Sequence, residues 1–360
     1  MRLVPLNAIK EGSYLGKTLY DGDGRVLLRQ GVELNHDLIA GIRDNGIYTL
    51  YINDEYSQNE IDDIIKPELR VKAVSTIKRA FETISKLDKC GNIKKNNIRD
   101  DSISSIKEVS ECIIEELSTN NNLLINLVDI KSMDSYTYQH SVNVALLSLV
   151  LGIELGLNRV ELGNLCLGAL LHDIGKVFIH KDLLGKDKLT DSELEEYRSH
   201  TSLGFNYLKE NPDINPTARI IALQHHARVD STGFPSQIDA NTLTKLSKIV
   251  SIADTYDSLT SDRPGHKALP PNEVIEYIMG AAGRHFDFDM VQVFCRNIIP
   301  FPEGTLVKLS NDETAIVDDM NINYPLRPKV KILRQTPTTV KMEPIDLMEH
   351  SNLTIKGIAY

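Results

Sequence analysis

The sequence predicts a mainly α protein: a long all-helical domain with a small α+β module on its N-terminal side and a small β-rich appendix on its C-terminal side. Three observations predict it. Apolar residues recur at three- and four-residue steps between residues 61 and 298, turn signals alternate with short extended runs before residue 55, and strand-like runs joined by turns follow residue 300. At 360 residues, 41% hydrophobic and 25% charged, the chain is long enough for two or three domains with cores of their own.

Residues 1–55 read as the α+β module. In LGKTLYDGDGRVLLRQG two extended stretches flank Asp21-Gly22-Asp23-Gly24, a hairpin signal because such residues take the backbone angles a tight turn needs. LNHDLIAGIRDNGI has helical spacing and a stop at Gly46, and YTLYI follows as a strand. No catalytic constellation is visible in this module. Residues 61–128 are polar and helical, with Val71, Val74, Ile77, Phe81 and Ile84 at helical steps. They read as a helical connector, the kind of segment that joins domains or pairs with another helix.

From 129 to 298 helix follows helix. The most apolar run, VALLSLVLGIELGL at 144–157, carries Glu154 and falls short of the roughly 20 residues a membrane helix needs, so it reads as a buried helix. Thr190 with Glu193 three residues on is a capping box that opens a helix ended by Pro212. Asn215 followed by Pro216 opens the next, cap then proline at the first helical position. Apolar residues at 243, 246, 249, 250, 253, 256 and 259 predict a long amphipathic helix. Residues 300–335 read as two or three strands, and residues 336–360 as a weakly patterned tail.

A net charge of -10 argues against long nucleic acid as a partner, since that binding is carried by clustered Lys and Arg. A small anionic ligand remains open. The cysteines Cys90, Cys112, Cys166 and Cys295 are scattered with no C-x-x-C pair, which suits a reducing cytoplasm and a packing role. The start, MRLVPLNAIKEGSY, has no apolar core of signal-peptide length. A cytoplasmic protein without membrane insertion is expected.

The chemistry is carried by histidines and aspartates. His140 shares a helical face with Val144, Leu147 and Leu151 and so faces inward. His172 and Asp173 end the apolar helix LCLGALLHDIGK, His200 lies on the helix opened by Thr190, His225 and His226 end the helix opened by Pro216, and Asp254 is embedded in IVSIADTYDSL. Taken singly, His140 or His200 reads as a hydrogen-bonded core or surface histidine. As an ordered set, H…HD…H…HH…D on successive helices asks for a common partner, because buried acids and imidazoles are costly unless paired or metal-bound. A pair of divalent metals fits, since imidazole suits iron, zinc, nickel and manganese and a carboxylate can bridge two ions. Between ions about 3.5 to 4 Å apart a water becomes hydroxide near neutral pH and can attack phosphorus.

The contexts YTYQHSVNVA, LLHDIGK, YRSHTSLGFNYL, HHARVDSTGFP and IVSIADTYDSLTSDRP resemble the HD-GYP subfamily of the HD-superfamily metal-dependent phosphohydrolases over residues 129–298. The resemblance implies an all-helical HD-type domain with a dinuclear centre, typically iron or manganese, that hydrolyses cyclic di-GMP to pGpG and in some members on to GMP. It implies His140, His172, Asp173, His200, His225, His226 and Asp254 as metal ligands, with Asp173 as the bridge. It also implies Asp173 and Lys176 as catalytic, and Lys176, Arg263, Phe234 and His266 as the substrate rim. Segments like residues 1–55 and 300–335 accompany this domain in some members.

The chain departs from the family pattern at the rim. Ala227, Ser231 and Phe234 stand where members have glutamate, glycine and tyrosine, and Pro264-Gly265-His266 follows Arg263 where Pro-Tyr and a stronger cation are common. Phe234 keeps a stacking face but loses the hydroxyl. Tyr136 stands where members with a third metal carry a glutamate, which predicts two ions. Two alternatives stay open: a degenerate module that binds a cyclic dinucleotide or a signalling protein, the latter through its N-terminal module, with weak or no turnover, and a phosphodiesterase for another cyclic dinucleotide.

Overall fold

The computed structural model describes residues 1–20, 25–45, 47, 49–53, 64–89, 96–119, 136–186, 188–236, 238–261, 267–321, 323–335 and 340–359. Its N-terminal unit runs β1 (Arg2–Pro5), β2 (Tyr14–Leu15), β3 (Leu19–Tyr20), β4 (Val26–Leu28), α1 (His36–Asp44) and β5 (Thr49–Asn53). Three strands make an antiparallel sheet of order β1-β5-β2, and β3 pairs with β4 as the expected hairpin. The hairpin tip at residues 21–24 and the helix stop at Gly46 lie outside the described residues. Asn35 caps α1 by accepting from the Leu38 amide, and Val4, Leu15, Leu34, Ile42, Leu50 and Ile52 close a small core under the sheet.

The helical part comprises α2 (Pro67–Lys89), α3 (Asn96–Thr119), α4 (Tyr136–Glu154), α5 (Arg159–Leu171), α6 (Asp191–Arg198), α7 (His200–Lys209), α8 (Pro216–Gln224), α9 (Lys245–Leu259), α10 (Pro271–Gly280) and α11 (Phe288–Asn297). Its hub is α4, with α2, α3, α5, α9 and α11 packed round it. Every residue from 140 to 152 is buried, and a helix enclosed on all sides must be apolar on all sides. That is why the 144–157 run resembles a membrane span without being long enough for one. No described helix is long and apolar enough to cross a membrane. Cys166 and Cys295 are buried and, with Cys112, are free thiols, as a packing role predicts; Cys90 lies outside the described residues.

Three expectations on the organisation need correction. Residues 61–128 do more than connect: Ile77, Phe81 and Ile84 of α2 and Ile106, Val109 and Ile113 of α3 belong to the same core as α4 and α5, and Lys107 donates to the Asp213 carbonyl ahead of α8 at 2.7 Å. Polar outer faces hid this, because an amphipathic helix reads alike whether its stripe meets one helix or a whole domain. The helix opened by Thr190 does not run to Pro212. It breaks at Ser199, whose hydroxyl donates to the Glu196 carbonyl at 2.6 Å and diverts a backbone acceptor, so that His200 opens α7.

The tail is the third. Beyond β6 (Leu306–Leu309), β7 (Thr314–Asp319) and β8 (Lys329–Gln335), the chain adds β9 (Val340–Asp346) and β10 (Ile355–Ile358) to one antiparallel sheet of order β10-β6-β7-β8-β9. Both added strands are edges. An edge strand tolerates Pro344 and exposed charge that an inner strand would not, and Glu343 meets Arg334 of β8 at 3.1 Å. Such a strand carries little apolar alternation to read. Leu326 packs against both this sheet's core and the helical core.

The predicted capping box is present: Thr190 Oγ1 accepts from the Glu193 amide and the Glu193 carboxylate accepts from the Thr190 amide at 2.8 Å. Thr190→Ala is expected to cost about 1 kcal/mol, read as a lowered urea midpoint with an unchanged slope.

Candidate metal centre

Five helices and one turn bring the histidines and aspartates together. His140 lies one turn into α4, His172 caps the C-terminal end of α5, Asp173 opens the turn after it, His200 opens α7, His225 ends α8 with His226 next, and Asp254 lies within α9. The turn approaches α7 backbone to backbone. A Cβ on Gly175 would fall 1.8 Å from the His200 carbonyl oxygen and 2.7 Å from the Gly204 amide, so only glycine lets Asp173 come within reach of His200.

The donor atoms form two groups. Asp173, His200, His225 and His226 converge in one, and His140, His172 and Asp254 in the other, each with its ligand atoms within 4.8 Å of one another. Asp173 spans both. Its Oδ2 lies 3.4 Å from His172 Nε2 and 3.7 Å from His140 Nε2, whereas its Oδ1 lies 3.5 Å from His200 Nε2 and 3.8 Å from His225 Nε2. Asp254 does likewise, with Oδ1 3.1 Å from His140 Nε2 and Oδ2 3.5 Å from His226 Nδ1. A carboxylate with one oxygen toward each of two imidazole groups has the shape a bridging ligand needs.

Hydrogen bonds orient the rings. His172 Nδ1 faces the Ala169 carbonyl at 2.7 Å, His200 Nδ1 the Tyr197 carbonyl at 2.6 Å and His225 Nδ1 the Ala222 carbonyl at 3.0 Å. These are carbonyls one turn back, and each fixes the tautomer that leaves Nε2 with its lone pair aimed at the centre. His140 differs: its Nδ1 meets a carboxylate, Asp257 Oδ2, at 2.7 Å. Tyr136, one turn before His140, stacks on that imidazole at 5.4 Å between centroids. The donors thus form two groups, and a phenol ring rather than a carboxylate stands one turn before His140.

The electrostatics favour cations. Burial pushes His200 down to about 4 and His226 to about 3, and holds His225 well below its ordinary value, so these rings stay neutral and able to ligate. Burial also works against both carboxylates, yet the Lys176 ammonium beside Asp173 and the His140 hydrogen bond to Asp254 hold them below the usual carboxylate range. Asp173 Oδ1 is buried and accepts no hydrogen bond among the described residues. An orphaned anionic oxygen between neutral imidazole nitrogens is costly unless a cation meets it, and on that ground the residues fit a metal pair.

These shifts set the pH dependence of the metal-free protein. His200 takes its proton at about 4 when folded and at 6.5 when not, so stability falls as pH drops from 6.5 to about 4. Burial lowers His140 too, but its hydrogen bonds to the Asp254 and Asp257 carboxylates outweigh it and raise the ring to about 9. That contribution is full below 6.5 and is lost as pH rises through 9. Metal-free protein is expected to be most stable near pH 6.5, with slopes of about 1.4 kcal/mol per pH unit per proton on either side; chemical unfolding across pH 4 to 9 reads it.

At the rim, Lys176 donates to Asp173 Oδ2 at 2.5 Å and lies 5.7 Å from the Tyr197 ring centroid. The turn after the histidine pair folds back on it: the Phe234 amide donates to the His226 carbonyl at 3.2 Å, and a Cβ on Gly233 would fall 2.1 Å from that same oxygen. Phe234 thus lays its ring 4.4 Å from the His226 ring, with the Arg198 guanidinium 5.5 Å over it. Arg263 and His266 lie outside the described residues. Sequence reasoning missed Arg198, Asp257, Asn143 and Arg70. Asp257 stands three residues after Asp254 and Asn143 three after His140, a same-face spacing that could have pointed to them; for Arg70 no signal exists.

A family model described as "HD domain" matches residues 108–290, and one described as "KOW domain associated with HD domain" matches residues 306–359, the C-terminal sheet. A cyclic di-GMP phosphodiesterase of Pseudomonas aeruginosa is 32% identical over 229 residues, 63% of this chain and 55% of that protein. A cyclic di-GMP phosphodiesterase of Borreliella burgdorferi is 25% identical over 62% of this chain and 60% of its own length. A 3'3'-cGAMP-specific phosphodiesterase of Vibrio cholerae is 34% identical over 51% of this chain and 42% of its own. The chain thus spans about half the length of these curated relatives. Among solved structures, an HDG"Y"P protein from Bdellovibrio bacteriovorus superposes with a TM-score of 0.53 at 18% identity, covering 81% of this chain and 97% of that one; this likeness is one of fold.

Proposed function

Since the chain belongs to the HD domain family, in its HD-GYP subfamily, we propose that it is a metal-dependent phosphodiesterase that hydrolyses cyclic di-GMP to pGpG. The observation that carries this reading is the Asp173 carboxylate, buried, with one oxygen toward each of two histidine groups. His140, His172 and Asp254 would hold one divalent ion and His200, His225 and His226 the other, with Asp173 shared and iron or manganese as the metals. When bound, such a pair supplies Lewis acidity toward a phosphoryl oxygen and lowers the pKa of water.

The residues of the chain do the rest. Burial of His140, His172, His200 and His225 keeps bulk water from the donors, and the Nδ1 hydrogen bonds hold each ring without rearrangement. Lys176 lies one turn past His172 on the shared carboxylate, where its ammonium would meet a non-bridging phosphate oxygen. Arg263 and His266 would add cations at the rim, and Phe234 an apolar wall beside His226. In the net reaction water adds across one diester: its oxygen joins phosphorus, the bond from phosphorus to the 3′ oxygen breaks, and that oxygen leaves with a proton. The reading includes a signalling protein as partner of the N-terminal unit, which closes its own core, and a cytoplasmic setting, where thiols such as Cys166 stay reduced.

Full-length protein loaded anaerobically with Fe(II) or Mn(II) is expected to convert cyclic di-GMP to pGpG, followed by chromatography, and faster than it converts 3'3'-cGAMP. Protein that holds two ions and turns over neither would sink the reading, and a reversed preference would move the substrate to the second nucleotide.

A further inference from the structure

We propose that Asp257 and Arg70 are positioning residues for the metal centre, and that α2, which precedes the segment matched by the HD domain model, is thereby a working part of it. A chain of hydrogen bonds leads outward from His140. Asp257 Oδ2 meets His140 Nδ1 at 2.7 Å, Asn143 Nδ2 donates to Asp257 Oδ1 at 3.0 Å, and Arg70 Nη1 donates to Asn143 Oδ1 at 2.8 Å. His140, Asn143 and Asp257 are buried. The same two helices that present His140 and Asp254 present Asn143 and Asp257 one turn further on, so the chain is built into the helix pair that carries the centre.

His140 is held unlike its neighbours. His172, His200 and His225 rest on backbone carbonyls, which no side-chain substitution removes. His140 rests on a side-chain carboxylate, which fixes ring orientation and raises ligand basicity. The carboxylate in turn depends on an amide whose two ends are both engaged. With Arg70 on its oxygen, Asn143 can offer only its NH₂ to Asp257, and a cation on the oxygen strengthens that donation. Arg70 lies in the first turn of α2, so the helix that follows the N-terminal unit is hydrogen-bonded into the metal centre.

The inference rests on the reading that His140, His172 and Asp254 hold one of two ions. The test titrates Mn(II) into full-length parent, Asp257→Asn, Arg70→Gln and Arg70→Lys, following stoichiometry and the paramagnetic resonance signal of coupled ions, with thermal unfolding of each metal-free form alongside. Asp257→Asn is expected to weaken one of the two sites by about 10- to 100-fold, replacing the coupled signal by that of a single ion. Arg70→Gln should weaken the same site, less strongly, and Arg70→Lys should restore part of the loss, since an ammonium can still donate to Asn143. Two ions bound as tightly by Asp257→Asn as by parent overturns the inference, as does equal weakening of both sites in step with lost thermal stability. An unchanged Arg70→Gln beside a weakened Asp257→Asn overturns the part assigned to α2. A parent that binds no ions overturns this inference and the proposed function together.

Discussion

Asp173→Asn is expected to lower cyclic dinucleotide turnover on the order of 10³-fold or more and to reduce bound metal from two ions to one or none. The substitution keeps the side chain's shape, so the fold is not the cause. It removes the charge from a carboxylate that faces both histidine sets, with Oδ2 toward His140 and His172 and Oδ1 toward His200 and His225. Ions contribute several kcal/mol to stabilising a phosphoryl transition state, and about 4 kcal/mol corresponds to a factor of about 10³. A second effect follows in the metal-free state. Lys176, nearly buried and bonded to Asp173, loses its counter-charge, and a buried charge left alone costs about 3 to 5 kcal/mol. Metal analysis and product chromatography on the same preparation decide it; a variant keeping two ions and a tenth of parental turnover would refute the shared role.

Gly175→Ala should do comparable damage without touching a donor atom. The added Cβ would fall 1.8 Å from the His200 carbonyl oxygen and 2.7 Å from the Gly204 amide. Both are backbone atoms, so no side chain can rotate out of the way and either α7 or the turn must move. A loss of about 3 kcal/mol or more is expected, with weakened metal binding at the group containing His200. Gly163→Ala is the control: it lies within α5 with nothing within 4 Å of the new Cβ, and should be neutral or stabilising by up to about 1 kcal/mol. Urea unfolding of both variants with and without Mn(II) separates the site from general helix propensity. Equal midpoints for the two would refute the close approach.

Much of the centre was legible because its residue types are improbable where they stand. His140 on an apolar face and Asp254 inside an apolar helix advertise a buried need, and the order of the set on successive helices suggests where that need is met. Helix starts at Thr190 and Asn215 were legible for a local reason, since a cap is decided within four residues. The break at Ser199 was not, because a hydroxyl bonding back to Glu196 competes with an equally good helical continuation. The edge strands β9 and β10 escaped notice because half their partners are solvent. Arg70 escaped because its partner is 73 positions away and nothing in its neighbourhood differs from a surface arginine on an amphipathic helix.

The sequence by itself determined the fold class, the helical order, the seven candidate donors and the glycine turn after the histidine pair, all consequences of local pattern or of residue chemistry that burial makes costly. Only the tertiary structure decided which oxygen of Asp173 faces which histidines, that α2 and α3 share the main core, and that Phe234 lies against His226 under Arg198. It also decided that HHARVDSTGFP folds back on its own histidines rather than away from them. The physical reason is one of range: caps and periodicities are settled within one or two turns of chain, whereas the direction of a carboxylate is settled by helices that meet only when the core closes.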